Sequence, residues 1–217
     1  MIKVITWFRR TPGMDAAEFH DYWRQEHPKA VLRLTGLRKY VQNHVTASQY
    51  ERGQPFVDGV AETWWDDRDA LHAHRGTQAL ADLMVDEGRF IDPGFRESVL
   101  VEEVTILNEA IPLDGVKIIT WVRRRPDLSI DQAQQYWRTN HAAVATKLPG
   151  LARYVQNHAR PAKTEGEFMG LPMVWFASMD QVRANATSPE LATIRADEPN
   201  FLALPAPFVV VDEHHII

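Results

Sequence analysis

Two ferredoxin-like βαββαβ repeats in tandem, an α+β fold, are what this sequence of 217 residues predicts. Three observations carry that prediction. Residues 3–44 align with residues 117–158 without a gap, and 19 of those 42 positions are identical. The match then continues with a slip of three residues, placing Trp64-Trp65 on Trp175-Phe176, Asp86-Glu87 on Asp197-Glu198 and Phe90 on Phe201. Within each copy, strand-like and helix-like periodicities follow one another in the order strand, helix, strand, strand, helix, strand. A period near 110 residues is longer than the roughly 20–50 of solenoid repeats and marks a duplicated domain. The repeats are assigned to residues 1–108 and 115–217, with the join around Asn108 to Gly115.

Residues 3–9 alternate β-branched and aromatic types, as a strand does. After the Pro12-Gly13 turn, Phe19, Tyr22, Trp23, Ala30 and Leu34 recur at helical spacing, which predicts a helix of about 20 residues ending near Gly36. Leu37–Val45 and Val57–Trp65 read as the second and third strands. Asp66 or Asp67 offers an N-cap for a helical region broken near Gly76, and Val99–Leu107 reads as the fourth strand. The second copy repeats the pattern, with Ser188-Pro189-Glu190 as cap and first-turn proline.

Composition narrows the function. A formal net charge of −5, from 24 Lys and Arg against 29 Asp and Glu, with no basic run, argues against a nucleic-acid partner. The absence of cysteine removes disulfides, thiolate metal sites and a thiol nucleophile. No apolar run approaches the roughly 20 residues of a membrane span, and the start at Met1-Ile2-Lys3 does not read as a signal peptide, so a cytoplasmic protein is expected. His72/His74 and His214/His215 do not have metal-ligand spacing, and no nucleotide-binding glycine motif is present, so neither metal nor cofactor is expected.

A βαββαβ unit puts both helices on one face of its sheet and leaves the other open. Two such faces packed together would give an eight-stranded barrel with a lumen. Strand parity places Tyr40, Gln42 and His44 on one face and Val41, Asn43 and Val45 on the other. If the apolar set faces the helices, the Tyr40 set faces the lumen, together with Trp7, Glu62 and Trp64. The second copy contributes Trp121, Tyr154, Gln156 and His158, with Met173 where the first has Glu62.

Several of these residues also carry a family resemblance: Tyr22-Trp23-Arg24 with Glu26-His27-Pro28, the segment Gly36-Leu37-x-x-Tyr40-Val41-Gln42-Asn43-His44, and Asp58-Gly59-Val60-Ala61-Glu62-Thr63-Trp64. They resemble the EthD family of the dimeric α+β barrel superfamily. The resemblance covers both halves and implies a single-chain dimeric α+β barrel, the tandem form of what is usually a homodimer. It also implies a choice among isomerase, cyclase, decarboxylase and dehydratase activities, and a site role for His27. The second copy departs from it, with Asn140-His141-Ala142 for Glu26-His27-Pro28 and Gly170-Leu171-Pro172 at the third strand.

These readings converge on a cofactor-independent lyase or isomerase. It would act on a small hydrophobic, cyclic or aromatic carbonyl compound, mainly in the first copy. His44, Tyr40, Glu62 and His27 are the catalytic candidates, through proton transfer and oxyanion stabilisation. Trp7, Gln42, Trp64, Trp121, Tyr154, Gln156 and His158 are the substrate-binding candidates. Two alternatives stand beside it: a non-catalytic carrier of a hydrophobic ligand, and a haem protein with His27 or His141 as axial ligand. A homodimer of the tandem chain is compatible with each.

Overall fold

A computed structural model describes residues 1–112, 115–160 and 167–217; positions 113 and 114 of the expected join lie outside the described residues. The chain forms two compact units, Met1–Leu100 with Asp212–Ile217, and Val101–Val211. The last six residues thus belong with the first repeat, and residues 101–108 with the second.

In the first unit β1 (Ile2–Arg10), β2 (Leu37–Val45), β3 (Gly59–Trp65) and the first part of β4 (Ile91–Asn108) form an antiparallel sheet in the order β2-β3-β1-β4. That is the ferredoxin-like order. β4 begins earlier than expected, at Ile91, because Phe90 and Ile91 are buried with Phe8, Phe19 and Trp23. The C-terminal tail lies along β2: Tyr40 N–H donates to Ile217 O at 3.1 Å and Ile216 N–H to Tyr40 O at 2.9 Å.

The second unit holds β5 (Val116–Thr120), β6 (Val122–Arg124), β7 (Leu151–Ala159), β8 (Phe168–Phe176), β9 (Leu202–Ala203) and β10 (Phe208–His215). β8 pairs with both β7 and β5, residues 208–211 of β10 pair with β5, and residues 101–108 of β4 pair with the other edge of β7.

The long first helix expected from the spacing is interrupted in both copies. Asp15 caps Ala16–Gln25, its carboxylate accepting from Ala17 N–H at 2.8 Å; the chain breaks at Glu26-His27 and resumes as the single turn Pro28–Val31. Pro28 supplies no N–H and cannot continue the ladder. The second copy has Ala142 instead of Pro28. There Ile130–Tyr136 runs on through a π-helical turn, Trp137–His141, into Ala142–Ala145. Both solutions shift the register at the same place, after the helix tryptophan.

That tryptophan anchors each unit. Trp23 and Trp137 are almost wholly buried on the strand glycines Gly59 and Gly170, where an added Cβ would come within 2.5 and 3.0 Å of the indole ring. In the first copy His27 N–H turns to Tyr22 O, and the Trp23 carbonyl accepts from Gln42 Nε2 at 2.8 Å. Gly59→Ala is expected to destabilise the fold by about 1–3 kcal/mol through overpacking against Trp23, read as a lower urea midpoint at unchanged slope.

Candidate functional site

The structure corrects the face assignment of β2. Tyr40 OH accepts from Trp23 Nε1 at 3.0 Å, Gln42 Nε2 donates to Trp23 O, and His44 stacks on the Trp23 ring at 4.3 Å. Tyr40, Gln42 and His44 therefore face the helices and not the opposite side. The same holds in the second copy, where Trp137 Nε1 donates to Tyr154 OH at 2.7 Å, Gln156 Nε2 donates to Trp137 O at 2.9 Å, and His158 lies 4.5 Å from the Trp137 ring. The reason is physical. A buried helix register shift presents an indole N–H and a main-chain carbonyl, and the strand facing it must be polar. Polarity alone thus pointed the wrong way.

Trp7, Glu62 and Trp64 share the face turned away from the helices. β3 pairs with β1 so that Ile5 opposes Glu62 and Trp7 opposes Val60, and with β2 so that Val41 opposes Glu62 and Asn43 opposes Val60. Glu62 does not orient His44. It is buried and takes Lys3 Nζ at 2.7 Å and Asn43 Nδ2 at 3.0 Å, while Lys3 and Lys39 lie over the Trp64 ring at 4.5 and 4.6 Å. In the second copy Lys117 and Arg153 flank Trp175 in the same way, with the apolar Met173 in place of the acid. Trp121 continues this face and is buried. The expected set Tyr40, His44 and Glu62 is therefore divided by the thickness of the sheet.

Another constellation, duplicated in both copies, lies on the helix side. His27 Nδ1 meets Asp86 Oδ2 at 2.6 Å while Tyr22 OH donates to Asp86 Oδ1 at 2.6 Å. In the second copy His141 Nδ1 meets Asp197 Oδ2 at 2.8 Å and Tyr136 OH donates to Asp197 Oδ1 at 2.6 Å. Burial alone would raise the pKa of each carboxyl, but the hydrogen bonds from histidine and tyrosine outweigh it and hold both below the ordinary range. A carboxylate on Nδ1 fixes the tautomer and leaves Nε2 as the lone-pair nitrogen. Neither Asp86 nor Asp197 was among the sequence candidates. The signal for them was there, because Asp86-Glu87 and Asp197-Glu198 match across the repeats together with His27 and His141.

In the second unit His141 lines a cavity of about 320 Å³ between helices and sheet, together with Tyr154, Asn185 and Phe201 among mainly apolar side chains, with Arg195 and Glu198 also in the lining. Tyr154 OH accepts from both Trp137 Nε1 and Gln156 Nε2, so its own proton has no acceptor among the described residues. Burial drives the Tyr154 pKa upward, keeping it a donor. His141 Nε2 likewise has no partner among the described residues. The space follows from sequence. Val122, Ala145, Phe176, Val182 and Asn185 line the cavity where the first copy has the bulkier Phe8, Val31, Trp65, Leu71 and His74. A larger cleft of about 530 Å³ in the first unit is lined by Arg9, Arg10, Asp15, Asp58 and Asp92, but it is charged and its central Asp58 is already ion-paired with Arg10. Among the described residues there is no cluster of three His, Cys, Asp or Glu side chains that could hold a metal.

The family model for the EthD domain matches twice, over residues 11–94 and 125–205. The chain belongs to the EthD family. Solved structures share its fold at low identity. An anthrone oxidase-like protein superposes with a TM-score of 0.69 at 14% identity, covering 99% of this chain and 92% of its own. A provisionally assigned monooxygenase from Fusobacterium nucleatum gives 0.61 at 9% identity, covering 98% and 91%. A chlorite dismutase from Candidatus Nitrospira defluvii gives 0.53 at 12%, covering 97% and 91%. No curated protein sequence matches. The tandem EthD repeats, an α+β fold of two ferredoxin-like units, are thus as the sequence indicates, and no helix among the described residues is long and apolar enough to cross a membrane.

The depressed Asp197 carboxyl contributes stability that is complete above its unfolded value of 3.8 and lost as pH falls through the lower folded value. Asp197→Asn is expected to flatten the stability profile below the unfolded value of 3.8, measured as urea midpoints across the acid range.

Proposed function

We propose that this EthD protein is a cofactor-independent lyase or isomerase that moves a proton on a small cyclic or aromatic carbonyl compound, and that the helix–sheet cavity of the second repeat is its site. The observation that carries the reading is the pairing of His141 with Tyr154 in one apolar cavity. The first has its Nδ1 fixed by Asp197, and the second has a hydroxyl proton to give. A volume of about 320 Å³ is in the range of small-molecule sites, roughly 300–1,000 Å³.

In this mechanism the His141 Nε2 lone pair takes the proton from the carbon beside the substrate carbonyl. The C–H electrons shift to the carbonyl oxygen, which the Tyr154 hydroxyl meets as an enolate. Asp197 stabilises the imidazolium that forms. Return of the proton to another carbon completes an isomerisation, and departure of a β-hydroxyl as water, protonated by His141, completes a dehydration. Tyr154 is held as donor because Trp137 and Gln156 already occupy its lone pairs. His27 and Asp86 repeat the geometry in the first copy among bulkier neighbours, as a second and more crowded version of the site.

The test uses α-tetralone, a bicyclic aromatic ketone with an enolisable carbon, and follows deuterium incorporation beside the carbonyl by NMR in D2O. The protein is expected to accelerate exchange. His141→Ala is expected to reduce the acceleration by about 10²–10⁴-fold, and Tyr154→Phe by about 10²–10³-fold. The paired change Phe176→Trp and Asn185→His, which copies the first repeat, should abolish binding of the probe. Binding with no exchange would favour a ligand carrier, and a Soret band on haem titration that His141→Ala removes would favour a haem protein.

A further inference from the structure

A hydrogen-bonded chain in the first unit runs from the helix–sheet interior to the charged cleft at the end of β1. Gln42 Oε1 faces His44 Nε2 at 3.0 Å, and His44 Nδ1 faces His20 Nδ1 at 3.0 Å. His20 Nε2 faces Tyr50 OH at 3.1 Å, and Tyr50 OH reaches Asp58 Oδ1 at 2.8 Å. Both ends are acceptors. Gln42 must turn its Nε2 to the Trp23 carbonyl, which leaves Oε1 for His44. Asp58 is ion-paired with Arg10 and also accepts the Arg10 main-chain N–H at 2.9 Å.

Counting protons along this chain gives a mismatch. Four links need four protons, whereas neutral His20, neutral His44 and the Tyr50 hydroxyl bring three. One link is therefore left with two lone pairs face to face at hydrogen-bond distance, in a place where unmade hydrogen bonds are costly. We propose that the chain Gln42–His44–His20–Tyr50–Asp58 is a buried proton-binding site that takes up one further proton, shared between His20 and His44, and closes all four links. With three protons the gap can sit at any of the four links, so the two rings share tautomers until the fourth proton is bound.

The groups facing the two rings set where the proton is taken up. Asp58 and Asp21 favour it; Arg10, Arg24 and His214 oppose it. Burial dominates, lowering His20 to about 4 and His44 to about 2, so the chain is one proton short at neutral pH and fills in the acid range, at His20 first. The second repeat supplies an internal control. Gln134 stands in place of His20 and is tied to Ala159 O and Met169 O at 3.0 Å each. His158 keeps the bond to Gln156 at 2.9 Å, and its Nδ1 has no partner among the described residues. That stub has one link and one proton. The proposal does not depend on the second-repeat cavity.

The experiment is ¹⁵N NMR of the histidine rings in the full chain. At neutral pH His20 and His44 should show averaged tautomers, while His158 in the same spectrum shows the Nε2–H tautomer alone. Tyr50→Phe removes one proton and two links, so two protons serve two links and the rings should lock, His44 as Nε2–H and His20 as Nδ1–H. On acidification the wild-type rings should shift together for one bound proton, and Tyr50→Phe should bind that proton at least about tenfold more weakly, one pH unit lower. His20→Gln, copying the second repeat, should lock His44 as Nε2–H. Single tautomers in the wild-type rings that Tyr50→Phe leaves unchanged, or titration of His20 without any response from His44, would overturn the proposal.

Discussion

The seating of a helix tryptophan on a strand glycine is the contact on which each repeat depends. Trp23 over Gly59 and Trp137 over Gly170 bring helix and sheet so close that no side chain fits between them. The close approach requires the helix to shift register just after the tryptophan, and the shift exposes a main-chain carbonyl and an indole N–H inside the protein. Tyr40 with Gln42, and Tyr154 with Gln156, answer those groups atom for atom. A buried polar network of this kind fixes one arrangement of helix on sheet. The proposed chemistry grows from it, because a tyrosine whose lone pairs are both occupied has only its proton left to offer.

Duplication let the two copies of this network diverge in what surrounds it. The first fills its helix–sheet layer with Trp65, Leu83, Val31 and Leu34 around Tyr40. It extends the polar chain outward through His20 and Tyr50 to Asp58. The second has Phe176, Ala145 and Asn185 where the first has Trp65, Val31 and His74, which opens the cavity beside His141 and Tyr154. It ends its polar chain at His158. One copy therefore places its buried polarity in a proton-binding chain and the other beside a mainly apolar cavity, while both retain the aspartate, histidine and tyrosine that hold the second helical region to the first.

Much of this was legible in the residues. The identity of Tyr40-Val41-Gln42-Asn43-His44 and Tyr154-Val155-Gln156-Asn157-His158 made the duplication plain, and alternation within each copy gave the order of elements. Parity grouped Tyr40 with Gln42 and His44 correctly but could not say which way the group faces. Both faces of the strand are buried, with Val41 and Asn43 as inaccessible as Tyr40 and Gln42, so burial of apolar atoms no longer distinguishes them. Cross-strand register would have helped: Glu62 opposes Ile5 and Val41, and the charged Lys3 and Arg9 on that face mark it as the side away from the helices.

The sequence by itself determined the repeat, the family and the ferredoxin-like order of strands, because these rest on local periodicity and on identity between two stretches of one chain. Tertiary structure alone decided which candidates meet. Glu62 belongs to Lys3 and Asn43 on neighbouring strands, His27 to Asp86 and His141 to Asp197 between helical segments, and His44 to His20 between sheet and helix. Side-chain chemistry can be read one residue at a time, but a base needs its carboxylate and a cavity needs missing volume. Both are properties of neighbours in space, and here each histidine and its carboxylate lie 59 and 56 residues apart along the chain.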